Sequence, residues 1–197
     1  MRALLLLASF AALATAAAQP PPGYYDAAAG LSGPALKAAL YGIISPHTVQ
    51  QYSGLWADFT STDERDDDAT EVWDIYSDLP GGTAPYVYDF GNDQCGQSPN
   101  TEGICFNREH TVPVSWFNDQ SPMRTDLFHI YPTDAWVNQK RGNLPYGEVG
   151  AADFTSDNGT KTGPSTTPGY AGDVCEPIDA FKGDIARGYF YMMTRYM

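Results

Sequence analysis

Two short words constrain this chain more than anything else in it. Asn107-Arg108-Glu109-His110 sets a carboxylate beside an imidazole in an extended segment, and Trp136-Val137-Asn138-Gln139-Lys140-Arg141 reads as a short helix. Cys105 to Val114 reads as a strand or extended segment stopped by Pro113, and Leu127 to Tyr131 as a second short strand. Pro132-Thr133-Asp134 then opens the helix, with Thr133 as N-cap, Asp134 in the first turn and Gly142-Asn143 at the end. That order is a strand-strand-helix unit, in which Asn138 and Arg141 share a helical face. It carries a geometric demand. Adjacent strand residues face opposite sides, so Glu109 and His110 can serve one ligand only if the strand ends or bends there, or if the ligand sits beside its edge.

The rest of the chain reads as short pieces around that unit. Residues 19–34, rich in Pro, Gly and Ala, form a loose arm, and Leu31 to Ile44 has helical spacing with Ser32 and Pro34 as start signals. Tyr52 to Phe59 and Glu71 to Tyr76 are helix turns or strands. Tyr86 to Phe90 alternates as a strand does and ends at Gly91-Asn92. Residues 150–173 read as a polar surface loop. Asp179 to Tyr196 is the best helix, with Phe181, Ile185, Tyr189 and Met192 one turn apart. There is no internal repeat and no linker between two cores. The expected class is α+β, with mixed helices and short strands.

The first residues, Met1-Arg2 and then an apolar run to Ala14 followed by Ala16, Ala17 and Ala18, have the pattern of a secretory signal peptide over residues 1–18. Residues 19–197 are then one exported domain, extracellular or periplasmic, large enough for a sizeable core. No other apolar run approaches spanning length, so no membrane contact is expected after signal removal. In that compartment Cys95 and Cys105 are expected to pair, closing a short loop for about 2–3 kcal/mol. Cys175 is left as a buried thiol.

The net charge of −13 argues at first against a polyanionic partner. Its distribution softens the objection. Before Cys105 there are 3 basic and 13 acidic residues, and from Cys105 onward 8 basic and 11 acidic. The acidic run from Asp63 to Asp68 lacks EF-hand spacing and reads as a solvated loop. A nucleic-acid surface belongs in the C-terminal half.

The residue types suit metal-assisted phosphodiester hydrolysis. Magnesium takes a few hard oxygen ligands and keeps several waters. A neutral histidine can take a proton from water, and an arginine can hold a phosphate. A zinc hydrolase is a weaker reading, because His47, His110 and His129 include no HExxH pair.

The chain resembles the endonuclease I family of His-Me finger (ββα-metal) nucleases. Four ordered words carry the likeness over roughly residues 24–196: Asn107 to Phe117, Asp126 to Asp134, Val137 to Asn143, and Cys175 to Met192. The resemblance implies a ββα-metal core, so residues 19–197 form a nuclease domain. It implies His110 as general base and Glu109 and Asn138 as ligands of one divalent ion, usually magnesium, with manganese or calcium as substitutes. Arg141 and Arg187 are the candidates for holding phosphates, although an Asp184–Arg187 ion pair is the structural alternative for the latter. His129 is expected to be structural, and Glu176 to orient a basic side chain.

Members commonly continue with a further Asn/Arg-containing motif, whereas this sequence stops at Met197, as a short form or a fragment would. The family branch with a cysteine-containing insertion supplies an arginine after its histidine, and that arginine has no secure match here. The implied activity is sequence-nonspecific endonucleolytic hydrolysis of DNA, with RNA as a second substrate, by a monomer leaving 5′-phosphate and 3′-hydroxyl ends. The alternative is a noncatalytic nucleic-acid-binding or surface protein that keeps the fold.

Overall fold

A computed structural model describes residues 20–96 and 99–196. The signal segment expected at residues 1–18 lies outside them. The chain divides into an N-terminal unit up to Ile43 and a main unit from Ile44. In the first, a 3-10 turn at Asp26–Ala28 precedes helix α1, Gly33–Ile44, which starts two residues later than its apolar spacing suggests.

The main unit holds three further helices and five short strands among the described residues: α2 (Leu55–Thr62), β1 (Phe106–His110), β2 (Ile130–Asp134), α3 (Ala135–Arg141), β3 (Phe154–Thr155), β4 (Lys161–Pro164), β5 (Asp173–Glu176) and α4 (Asp179–Arg195). β1 and β2 pair antiparallel from Phe106↔Asp134 to His110↔Ile130, and β3-β4-β5 form a second antiparallel sheet. This is the α+β architecture expected, with the ββα order β1-β2-α3.

Boundaries differ from the sequence reading where tertiary partners intervene. β2 continues through Pro132, Thr133 and Asp134, so the N-cap of α3 is Asp134 and not Thr133. Asp134 Oδ1 accepts from Val137 N at 2.8 Å, while its Oδ2 accepts from Tyr88 Oη at 2.5 Å and Gly103 N at 2.9 Å. The cap is therefore also a tertiary junction. Gly142 ends α3 at φ 56°, in the left-handed region that favours glycine. The expected strand over Tyr86 to Phe90 is an extended segment joined to Thr70 and Val72 by isolated bonds, Phe90 N to Thr70 O and Val72 N to Tyr88 O.

The largest correction concerns residues 150–173, which hold β3 and β4 and lead into β5. Their buried positions include Thr160, Thr162 and Gly163, so the sheet carries no apolar alternation to reveal it.

Two clusters of apolar side chains flank the ββα unit. Ile75, Tyr76, Val137, Phe181 and Ile185 form one, joining α3 to α4. Leu55, Phe59 and Ile130 form another, joining α2 to β2. Gly188 brings α4 against the segment before β2, since a Cβ there would lie 3.0 Å from the Phe128 carbonyl oxygen. From this approach Tyr189 donates to the Thr111 carbonyl at 2.8 Å, just past the end of β1. Cys95 and Cys105 are disulfide-bonded as expected, at the entry to β1, and Cys175 is a buried free thiol.

Candidate active site

β1 has a neighbouring strand on one side, β2; the parallel bridge from Gln94 on its other side reaches only Phe106. Past that bridge the strand runs to His110 with no neighbouring strand on that edge among the described residues. Its alternation puts Arg108 and His110 on one face and Asn107 and Glu109 on the other. Arg108, Glu109 and His110 nevertheless line a single cleft of about 360 Å³, together with Asn138 and Gly142 of the α3 end. Groups from both faces can meet a ligand there because the strand stops at His110. A second cleft of about 580 Å³ adjoins it, and His110, Val114 and Ser115 line both. The two make one trench with the imidazole in the middle.

His110 is 9% exposed. Burial lowers its pKa to about 4, a shift that the Arg124 carbonyl and Glu109 oppose. The imidazole is therefore neutral at pH 7. Its Nε2 lies 3.0 Å from the Arg124 carbonyl oxygen. A carbonyl can only accept, so Nε2 carries the hydrogen and Nδ1 keeps its lone pair. The ring also lies near-parallel to Tyr52, with centroids 6.2 Å apart.

Glu109 is 1% exposed and held by three donors, all on Oε1: Tyr76 Oη at 2.8 Å, Arg141 Nη1 at 2.7 Å and Tyr146 Oη at 3.1 Å. Oε2 has no hydrogen-bond partner among the described residues. Asn138 follows the same logic. Its Nδ2 donates to Asn107 Oδ1 at 2.7 Å, and its Oδ1 has no hydrogen-bond partner among the described residues. Two hard oxygens on one cleft, each with its sister atom tied back to protein, fit an ion that takes few protein ligands and keeps its water. Among the described residues no group of three or more His, Cys, Asp or Glu side chains could hold a metal, so Glu109 and Asn138 are the candidates.

The sequence-predicted residues thus separate. Glu109, His110 and Asn138 come together. Arg141, expected at a phosphate, is instead 1% exposed behind Glu109. Besides Glu109 it donates to the His110 carbonyl at 2.7 Å, to the Leu144 carbonyl at 3.1 Å and to the Thr111 carbonyl. A guanidinium so enclosed braces the end of β1 and does not present itself to the trench. Arg187 is exposed on α4 and paired with Asp184, the alternative weighed from its spacing. His129 is fully buried, with Nε2 2.7 Å from the Met123 carbonyl oxygen, a structural position. Glu176 accepts from Lys182 at 2.8 Å and so does orient a basic side chain.

Tyr76, Tyr146 and Tyr52 escaped the sequence reading, since lone tyrosines far from the motif carry no local signal. Asn107 lay inside the motif, and its partnership with Asn138 needed the fold to become visible.

Known proteins similar to this chain include two extracellular ribonucleases. The chain is 36% identical to the extracellular ribonuclease of Bacillus amyloliquefaciens over 178 residues, 88% of this chain and 53% of that protein. It is 34% identical to the extracellular ribonuclease of Bacillus subtilis (strain 168), over 178 residues with the same coverage. The chain spans about half the length of the curated relatives it matches. No solved structure matches it significantly. The family model described as Endonuclease I matches residues 32–197, which include β1, β2, α3 and the whole trench, and the chain belongs to the Endonuclease I family.

Proposed function

We propose that this protein is an exported, magnesium-dependent endonuclease that hydrolyses phosphodiester bonds of DNA and RNA with little sequence preference, leaving 5′-phosphate ends. The observation that carries the reading is a neutral, largely buried imidazole in one cleft with Glu109 and Asn138, whose Nδ1, Oε2 and Oδ1 have no partner among the described residues. Family membership and the names of the two relatives support a nuclease, and extracellular relatives support export. Among the described residues no helix is long and apolar enough to cross a membrane.

In this reading His110 Nδ1 takes the proton from the attacking water, and the Arg124 carbonyl on Nε2 holds the ring in the tautomer that can do so. Glu109 and Asn138 would hold a magnesium ion, with Oε2 and Oδ1 as the oxygens that have no other partner among the described residues. When bound, the ion polarises the phosphate and stabilises negative charge on the leaving 3′ oxygen. Tyr76, Tyr146 and Arg141 fix Glu109 from behind, and Asn107 fixes Asn138, so the two oxygens are positioned before substrate arrives.

Digestion of plasmid and of RNA across a metal series tests the reading. Wild-type protein should nick plasmid and degrade RNA with magnesium and stop with chelator. His110→Ala should lower the rate by about 10²–10⁴-fold while nucleic-acid binding persists. Full activity in purified His110→Ala would remove the base assignment. Binding without metal-dependent cleavage in the wild type would favour a noncatalytic binding protein.

A further inference from the structure

The nuclease reading leaves the guanidinium groups of two arginines beside His110, Arg108 and Arg124, without a part. Arg108 shares a face of β1 with His110. Its guanidinium lies 3.7 Å from the Tyr52 ring centroid and 4.3 Å from that of Trp56, and it donates to the Tyr52 carbonyl at 2.7 Å. Arg124 comes from the β1–β2 connection. It lies 4.2 Å from the same Tyr52 ring and lines the trench with His110. Two guanidinium groups are thus gathered on one aromatic ring, and that ring stacks on the imidazole.

Such a pair is out of character for a chain of net charge −13. Arg65, Arg141 and Arg187 each have a carboxylate partner. Arg108 has none among the described residues. Arg124 has Asp119 at 2.9 Å, but those side chains are 39% and 54% exposed, and an ion pair in water contributes little. Two like charges gathered on one ring repel each other. Cation–π contact with Tyr52 compensates in part. A phosphate in the trench that both line would ease the repulsion and use the donors of Arg108 that have no partner among the described residues.

We propose that Arg108 and Arg124, carried on Tyr52, form a clamp for a backbone phosphate of the substrate strand beside His110. The inference rests on the nuclease reading and assigns to these residues the phosphate contact that buried Arg141 cannot make. A clamp of this kind reads charge and no base edge, so it serves DNA and RNA alike.

Salt-dependent binding tests it. Single-stranded DNA and RNA oligonucleotides of one sequence are titrated, with magnesium, against His110→Ala protein carrying Arg108→Gln, Arg124→Gln or both. Each single change should weaken binding about tenfold. Each should also reduce the slope of log K against log salt by about 0.7, and the double change by roughly twice that. Arg108→Lys should keep most of the slope, because the charge survives. With His110 restored, each Gln variant should raise KM more than it lowers kcat.

An unchanged slope in a double variant that unfolds normally would overturn the clamp, as would weaker binding with no change in slope, which marks a packing role. Should Arg108→Gln fail to fold, the more exposed Arg124 decides the matter alone by the same slope. Wild-type protein that binds but never cleaves would remove the nuclease reading and leave the clamp standing. Wild-type cleavage with unaltered slopes in the variants would remove only the clamp.

Discussion

At the scale of single residues, the site is built by using up one atom of each functional side chain. Oε1 of Glu109, Nδ2 of Asn138 and Nε2 of His110 are all engaged with protein, and Oε2, Oδ1 and Nδ1 have no partner among the described residues. Arg141 is the keystone, because it joins the Glu109 carboxylate to the carbonyls of His110 and Thr111. Removing its charge leaves Glu109 buried with only tyrosine donors. Arg141→Met should therefore cost about 3–5 kcal/mol in denaturant unfolding. Arg141→Lys should recover little of it, since an ammonium cannot reproduce the fork. Near wild-type stability with a raised KM would instead return Arg141 to the substrate.

At the scale of elements, the helix that carries Asn138 is held at its start by a single side chain. Asp134 caps α3 at Val137 and also accepts from Tyr88 and Gly103, while its own N–H donates to Asp74 Oδ2 at 2.8 Å. Asp134→Ala would strip the cap and leave a buried hydroxyl and two N–H groups without acceptors. The expected loss is about 2–5 kcal/mol in thermal or denaturant unfolding. Asp134→Asn should lose less, as its amide oxygen can still cap the helix. A loss no larger than an exposed cap gives, about 1 kcal/mol, would show that the junction to Tyr88 and Gly103 adds nothing. α4 acts at the same scale. Tyr191 and Tyr196 donate to Asp126 Oδ2 at 2.9 and 2.6 Å, tying the last helix to the segment from which Arg124 reaches His110.

At the scale of the whole molecule, the acidic half sets a pH dependence of stability separate from the site. Burial pushes the Asp63 carboxyl up to about 7, and the Thr62 hydroxyl 2.6 Å away only partly opposes it. The folded chain thus binds that proton more tightly than the unfolded chain, where an aspartate titrates near 3.9. Between about pH 4 and pH 7 this group's contribution falls as pH rises, and above pH 7 the full penalty is present. Asp63→Asn should therefore stabilise the protein by about 2–4 kcal/mol at pH 8 and hardly at all at pH 4, as read from denaturant midpoints at the two pH values. An equal gain at both would mean that Asp63 titrates alike in the folded and unfolded chain.

The ββα order, the long last helix, the Cys95–Cys105 bridge and the words that bring Glu109, His110 and Asn138 to one cleft were legible in the chain itself. Each of these is encoded by neighbours in the chain: a motif word, a helical period, a close cysteine pair. Only the tertiary structure decided that Arg141 faces inward, that Arg124 and Tyr52 stand beside His110, and that a polar stretch forms β3 to β5. Where a side chain's partner lies far along the chain, as Tyr76 does from Glu109, burial and hydrogen bonding assign its place, and local pattern is silent. The early stop of β1 meets the demand posed by adjacent Glu109 and His110, because at a strand's end the two faces open onto one cleft.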